Sequence, residues 1–234
     1  AESSPDKFHG IAPFEVANGI LKSMSDKNYN HIKTFSETFG SILTDFAKND
    51  SKITAVCAAM VSGTGLDEFC EMFPERLFDV GIAEQHALTM AAGMACEGLR
   101  PVVAIYSTFL QRAYDQLLHD IALQRLHVVI CIDRAGIVGE DGETHQGIYD
   151  LALLLTIPEI VILSPRNYRE LKNMMEYAIY KCSGPVAIRY PRGKEQFFDS
   201  NPDSTYTVCD EIIPERITAG DDITVIAEGA MVET

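Results

Sequence analysis

The 234-residue chain carries 19 Lys and Arg against 34 Asp and Glu, a formal net charge of −15, with 47% hydrophobic and 23% charged residues. That balance is ordinary for a globular protein and excludes a disordered or fibrous chain; at this length roughly 70% of the unfolded surface can be buried without metal or disulfide staples. An isoelectric point near 4.7 means a surface that repels phosphate backbones, which argues against a nucleic-acid partner. The longest apolar stretch, 151–163, is broken by Thr156, Pro158 and Glu159 and offers no membrane span.

Along the chain, residues 1–31 mix Gly, Pro, Ser, Asn and Asp with short apolar runs and read as an arm or linker. Ile32, Phe35, Phe39, Ile42, Leu43 and Phe46 recur at helical spacing and predict an amphipathic helix to about Lys48. Strands are predicted at 53–57, 78–80, 101–106, 127–132, 160–163 and 186–189, with helices over 83–97, 108–124 and 168–180 between them. Continuous apolar strands alternating with helices predict an α/β domain over 32–193, with a six-stranded, mostly parallel sheet covered by helices on both faces. Residues 194–221 are acidic, hold Pro202 and Pro214, and read as a second linker. Ile223 to Ala227 then predicts a buried strand opening a further domain, 222–234, that the chain leaves truncated. Six cysteines, at 57, 70, 96, 131, 182 and 209, form no C-x-x-C pair and read as thiols of a reducing compartment.

Ligands of parallel sheets sit beyond the carboxyl ends of the strands, so the segments following each strand matter most. Gly63-Thr64-Gly65 lacks the third glycine of a dinucleotide fingerprint, and neither a P-loop nor a serine-hydrolase elbow is present. No histidine pairs at metal spacing, so no metal site is expected. The loop from Asp133 to Gly147 holds glycines 136, 139, 142 and 147 together with Arg134, Asp141 and His145. Such a loop suits a polar, phosphorylated ligand; a solvated flexible loop fits the composition equally well. Arg189 and Arg192, after the sixth strand, add two guanidinium groups, the natural bidentate partners of phosphate, or else a surface pair. Glu84 opens the helix after the second strand, where a carboxylate is most often a capping group. Tyr106 and Phe109 follow the third strand, where aromatics usually belong to the core.

Taken together, IAEQHA, YSTFLQRAYDQ, DRAG, DG-x-TH-x-G and YPRG resemble the 1-deoxy-D-xylulose-5-phosphate synthases, thiamine-diphosphate enzymes of the transketolase superfamily, over residues 8–193 and weakly to Val232. The resemblance implies a transketolase-like pyrimidine-binding domain, in a bacterial cytoplasmic homodimer using pyruvate and glyceraldehyde 3-phosphate. It implies thiamine diphosphate as cofactor, with Mg²⁺ held by an N-terminal domain that this chain lacks, so the chain is expected to be an inactive fragment. By matching motifs, Glu84 is similar to the glutamate that hydrogen-bonds the cofactor's aminopyrimidine, and Phe109 to the aromatic stacked on that ring. Tyr106, Arg134, Asp141, His145 and Arg192 are similar to residues around the acceptor. The arginines are expected on its phosphate, Asp141 and His145 at its hydroxyl and aldehyde. Arg112 and His9 are further substrate-binding candidates of the same origin. Transketolase and the β subunit of a 2-oxoacid dehydrogenase share the glutamate and the aromatic but not the whole motif set. A non-catalytic assembly domain is the alternative of a different class.

Overall fold

The structure is a computed structural model that describes residues 14–17, 20–23, 33–195 and 216–233. It divides into two units, Ala1–Ile32 and Lys33–Thr234. In the first, β1 (Phe14–Ala17) and β2 (Ile20–Ser23) pair antiparallel, Phe14 facing Ser23 and Ala17 facing Ile20. This ladder lies where an arm or linker was expected. His9 and residues 196–215 lie outside the described residues.

The second unit is built on six strands: β3 (Ile53–Cys57), β4 (Leu77–Asp79), β5 (Arg100–Tyr106), β6 (Val129–Asp133), β7 (Val161–Leu163) and β8 (Val186–Arg189). All pairs are parallel, in the order β4-β3-β5-β6-β8-β7. Every residue of β3 and of β6 is buried, as expected of strands covered on both faces.

Alternation along the strands assigns each face its own core. On one face α1 (Phe35–Asn49) and α7 (Tyr168–Tyr180) lay Phe35, Phe39, Leu43, Leu171 and Met175 against Ala55, Ala104, Cys131 and Ile188. Each of the large apolar side chains, fully withdrawn from water, stabilises the fold by about 1.5–3 kcal/mol relative to its exposed state. On the other face α3 (Glu84–Cys96) packs Ala87, Leu88 and Ala91 with Leu110, Leu117 and Ile121 against Val56, Val103 and Ile130.

Two short helices, α2 (Asp67–Met72) and α6 (Asp150–Leu154), escape the sequence reading because so few residues show no periodicity. Where one helix was expected over 108–124, the chain runs through α4 (Ser107–Leu110), a 3₁₀ turn at Gln111–Ala113, α5 (Tyr114–Gln116) and a π-helical stretch at Leu117–Ala122. Such irregularities inside helices are frequent at functional sites.

The expected strand over 223–227 does not form. Ile223, Val225 and Ile226 are 81%, 83% and 93% exposed and pair with no strand among the described residues. An apolar run becomes a strand only when a sheet edge supplies its hydrogen bonds. Beyond it the segment is held at Glu228, whose carboxylate accepts a 2.9 Å bond from Arg189 Nη1.

Candidate functional site

Most of what the sequence marks out after a strand gathers at the carboxyl edge of the sheet. Asp79, ending β4, accepts from the backbone N–H of Ala59 at 2.7 Å and of Gly81 at 2.9 Å. Those bonds fix the turn that launches α3, and Gly81 supplies its left-handed φ of +72°. The helix therefore begins with Glu84 turned inward, 3% exposed, and not acting as a cap. Arg112 Nη1 stands 2.8 Å from Glu84 Oε2, an ion contact off the line of a hydrogen bond, so this buried oxygen has no hydrogen-bond donor among the described residues. Phe109 and Arg112 share one irregular helical run, three residues apart.

A second group is knit around Tyr106, the last residue of β5. Its ring stacks on Phe109, with centroids 5.5 Å apart and planes 8° from parallel. Its hydroxyl donates to the Gly63 carbonyl at 3.1 Å, and a Cβ on Gly63 would lie 2.5 Å from the hydroxyl oxygen, so a larger residue there would displace the Tyr106 hydroxyl. Burial pushes the Tyr106 hydroxyl far above the usual phenol range. The Arg134 guanidinium lies over the same ring, 4.2 Å from its centroid, a cation–π contact. Arg134 is itself held in a left-handed conformation, φ +58°, a strain of the kind that concentrates at functional sites.

The glycine-rich loop is closed by the Gly136–Gly147 bridge, with backbone bonds of 2.7 and 2.8 Å. The bridge closes the base of the loop, while Gly139, Gly142, Glu143 and Thr144 stay exposed to solvent. It brings Asp141, 13% exposed, between Arg134 and Arg192: Arg134 Nη1 donates to Oδ2, and Arg192 Nε lies 3.2 Å from Oδ1. His145 meets the edge of Phe109, centroids 5.5 Å apart, with its Nδ1 2.9 Å from Thr144 Oγ1. The structure thus joins Glu84 to Arg112, and Phe109, Tyr106, Arg134, Asp141, Arg192 and His145 to one another.

Above Arg134 and Arg192 opens a cleft of about 280 Å³, walled by Thr34, Ser36 and Glu37 at the start of α1 and by Ser62, Gly63 and Gly193. Thr34 caps α1 and closes a capping box with Glu37, so the positive end of that helix faces the cleft. Sequence reading missed Ser36 and Ser62, which line the cleft, and Asp133, buried next to Ser36, since nothing in their spacing reveals that they come together.

Arg189 is corrected. Strand alternation turns it to the sheet face opposite Tyr190. There it donates to buried Asp150, from Nε at 3.0 Å and Nη2 at 3.2 Å, and it takes no part in the cleft. Among the described residues no group of His, Cys, Asp and Glu could hold a metal ion, and no helix is long and apolar enough to cross a membrane.

A six-stranded parallel sheet with charged groups gathered at its carboxyl edge defines an α/β domain, and comparison gives its family. The model of the family "Transketolase, pyrimidine binding domain" matches residues 32–196, and the chain belongs to that family. Curated relatives include 1-deoxy-D-xylulose-5-phosphate synthases of Clostridium perfringens, 48% identical over 233 residues, and of Desulforudis audaxviator, 51% over 234, each match covering 100% of this chain and 36% of the relative. A third, from Syntrophomonas wolfei, is 55% identical over 193 residues, 82% of this chain and 29% of that protein. The chain thus spans about a third of the length of the curated relatives it matches. Among solved structures, a split-gene transketolase, an inactive β4 tetramer, is 29% identical with a TM-score of 0.62 over 71% of this chain and 54% of that one. Transketolase of Campylobacter jejuni, 22% identical with a TM-score of 0.64 over 71% of this chain and 27% of that one, shares the fold.

Proposed function

We propose that the chain is the pyrimidine-binding part of a 1-deoxy-D-xylulose-5-phosphate synthase, which joins pyruvate, with loss of CO₂, to glyceraldehyde 3-phosphate. The observation that carries this reading is Glu84: a carboxylate 3% exposed at a helix start, whose Oε2 is ion-paired with Arg112 at 2.8 Å but accepts no aligned hydrogen bond. That oxygen fits a ring nitrogen of an aminopyrimidine, and Phe109, already paired flat with Tyr106, is suited to stack on the ring. Thiamine diphosphate, when bound, supplies the carbon that takes up pyruvate and releases CO₂. Its pyrophosphate and Mg²⁺ belong, on this reading, to a domain outside the chain.

Glu84 holds the proton shared with the pyrimidine, and Arg112 sets the charge beside it. Arg134 and Arg192 hold the acceptor's phosphate in a geometry that Asp141 fixes by bridging them. His145, packed on Phe109, stands where the acceptor's aldehyde approaches, and Tyr106 forms the floor. His9 is proposed as a further acceptor contact. The domain division proposed is 32–193 as the binding domain, 1–31 as arm, 194–221 as linker and 222–234 as the start of another domain. A homodimer is supported by the apolar side chains at the site end, Ile82 at 75% and Ile137 at 85% exposure. A bacterial cytoplasm fits the buried free thiols of Cys57 and Cys131.

The test separates acceptor from donor in the full-length enzyme. Each charge-assisted hydrogen bond is worth about 1.5–3 kcal/mol. Arg134→Ala or Arg192→Ala should therefore raise KM for glyceraldehyde 3-phosphate about tenfold or more, at ~1.4 kcal/mol per decade. KM for pyruvate should move far less, and unphosphorylated glyceraldehyde should lose little. Equal losses for both acceptors would make the arginines structural.

A further inference from the structure

Beneath the cleft three side chains stand abreast on the sheet face covered by α1. Tyr106 pairs in register with Asp133, and alternation along β5, β6 and β8 points Tyr106, Asp133 and Tyr190 the same way as Ala104, Cys131 and Ile188. Asp133 is 0% exposed, and neither of its carboxyl oxygens has a hydrogen-bond partner among the described residues; the buried Tyr190 hydroxyl has none either. Ser36, in the first turn of α1, is the hydrogen-bonding neighbour of Asp133 and also lines the cleft. In the present arrangement their contact falls short of a formed bond.

A carboxylate in such a place would be a buried charge with no well-formed hydrogen bond, which is unfavourable enough that the group keeps its proton instead. Burial, helped by the Asp141 charge, pushes Asp133 up to about 7, against the lowering influence of the Ser36 hydroxyl and of the Arg134 guanidinium and backbone N–H. A protonated carboxyl is a hydrogen-bond donor, and a serine hydroxyl can accept one bond while donating another.

We propose that Asp133 is a positioning residue for anion binding: as a neutral acid it donates to Ser36, which turns its own hydroxyl hydrogen into the cleft toward an oxyanion held by Arg134 and Arg192. This rests on the reading of the cleft as the seat of the acceptor's phosphate and names a part of that seat. When Asp133 ionises, Ser36 must donate back to the carboxylate, and a negative charge lies under the anion. Both changes weaken binding. The groups facing Asp133 are Ser36 from α1, Cys131 below it on β6, Tyr106 on β5, Tyr190 after β8, and Arg134 and Asp141 from the glycine-rich loop. Burial keeps Cys131, Tyr106 and Tyr190 neutral well beyond the physiological range. The comparison is made between variants that all retain His145.

The probe is sulfate, a dianion throughout, titrated calorimetrically into the chain between about pH 5.5 and pH 8.5. Affinity should fall roughly tenfold for each pKa unit by which bound anion shifts Asp133, since the coupling is reciprocal. Asp133→Asn, whose amide donates to Ser36 at every pH, should remove that step and hold the tighter affinity in alkali. Ser36→Ala should weaken binding in acid and flatten the slope. An infrared carbonyl band of a protonated carboxylic acid, present in the wild type near pH 6 and missing from Asp133→Asn, supports the neutral acid without relying on affinity; its absence overturns the proposal. Identical pH slopes in wild type and Asp133→Asn, with binding still abolished by Arg134→Ala, overturn the role of Asp133 and leave the cleft's reading standing. Failure of sulfate to bind at any pH, or binding indifferent to Arg134→Ala, overturns both.

Discussion

Arg189 and Arg192 are three residues apart, yet one is tied to Asp150 on the far face of the sheet and the other meets Asp141 in the cleft. Glu84 shows the same dominance of direction over identity: at a helix start it would ordinarily face solvent, but the Asp79 turn aims it inward. Glu84→Gln in the full-length enzyme keeps the volume and removes the proton acceptor. Exchange of the reactive thiazolium proton, followed by NMR, should slow ~10²–10⁴-fold, the usual scale of general acid–base contributions. Unchanged exchange removes Glu84 from the chemistry. Asp133 makes a separate prediction about stability. Its native value is raised to about 7 from an ordinary 3.8, so the native state binds the extra proton between those values. The stability it contributes is fully present below about pH 4 and is lost as pH rises through about 7. Asp133→Asn should therefore gain in melting temperature relative to the wild type at pH 8 compared with pH 5; a difference independent of pH would contradict the buried acid.

α1 is the element that both seals a core and shapes the cleft. Its apolar face carries Phe35, Phe39 and Leu43 onto the sheet, while its first turn presents Thr34 and Ser36 to the site. What sets its height above the loop after β3 is a glycine contact: a Cβ on Gly40 would lie 1.7 Å from the Gly65 carbonyl oxygen. Gly65 itself has φ +76°, and a Cβ there would meet the Ser36 carbonyl oxygen at 2.1 Å. Both contacts are with backbone, which cannot rotate aside. Gly40→Ala should thus cost at least the ~1–3 kcal/mol of an overpacked core, seen as a lower melting temperature. Because the whole first turn must shift, anion affinity in the cleft should fall with it. An alanine variant as stable as the wild type would show that the helix can move away freely.

At the scale of the molecule, the two sheet faces are sealed by separate cores, and the site occupies the remaining edge. The arrangement offers a buried glutamate, Glu84, and a cleft lined by Arg134 and Arg192. Relatives roughly three times as long supply the rest of their own chains, since this one covers 36% of them. The purified chain, given pyruvate, glyceraldehyde 3-phosphate, Mg²⁺ and thiamine diphosphate, is expected to give no 1-deoxyxylulose 5-phosphate. Detectable product from the chain alone would mean that it carries the entire cofactor site. Adding the remainder of a synthase as a separate polypeptide should restore turnover if the edge bearing Ile82 and Ile137 is a docking face.

Strand order aside, the sheet was legible because buried parallel strands are continuous apolar runs. The positions of β3, β5 and β8 and of α3 and α7 follow from periodicity that any neighbour would preserve. The candidate site was legible as motifs: Tyr106 ends β5, and Glu84, Phe109, Arg134, Asp141, His145 and Arg192 follow strands, at the edge where parallel sheets bind ligands. Three things needed the folded chain. Ile223 to Ala227 has the composition of a strand but no sheet edge to pair with. Arg189 has the chemistry of a phosphate ligand but faces the wrong side of the sheet. Asp133 and Ser36, ninety-seven positions apart, meet only because α1 crosses the end of β6. Local sequence determines which residues are apolar, flexible or charged; burial, pairing and proximity are properties of distant segments brought together, and those decide which charges are neutralised and which remain to bind a ligand.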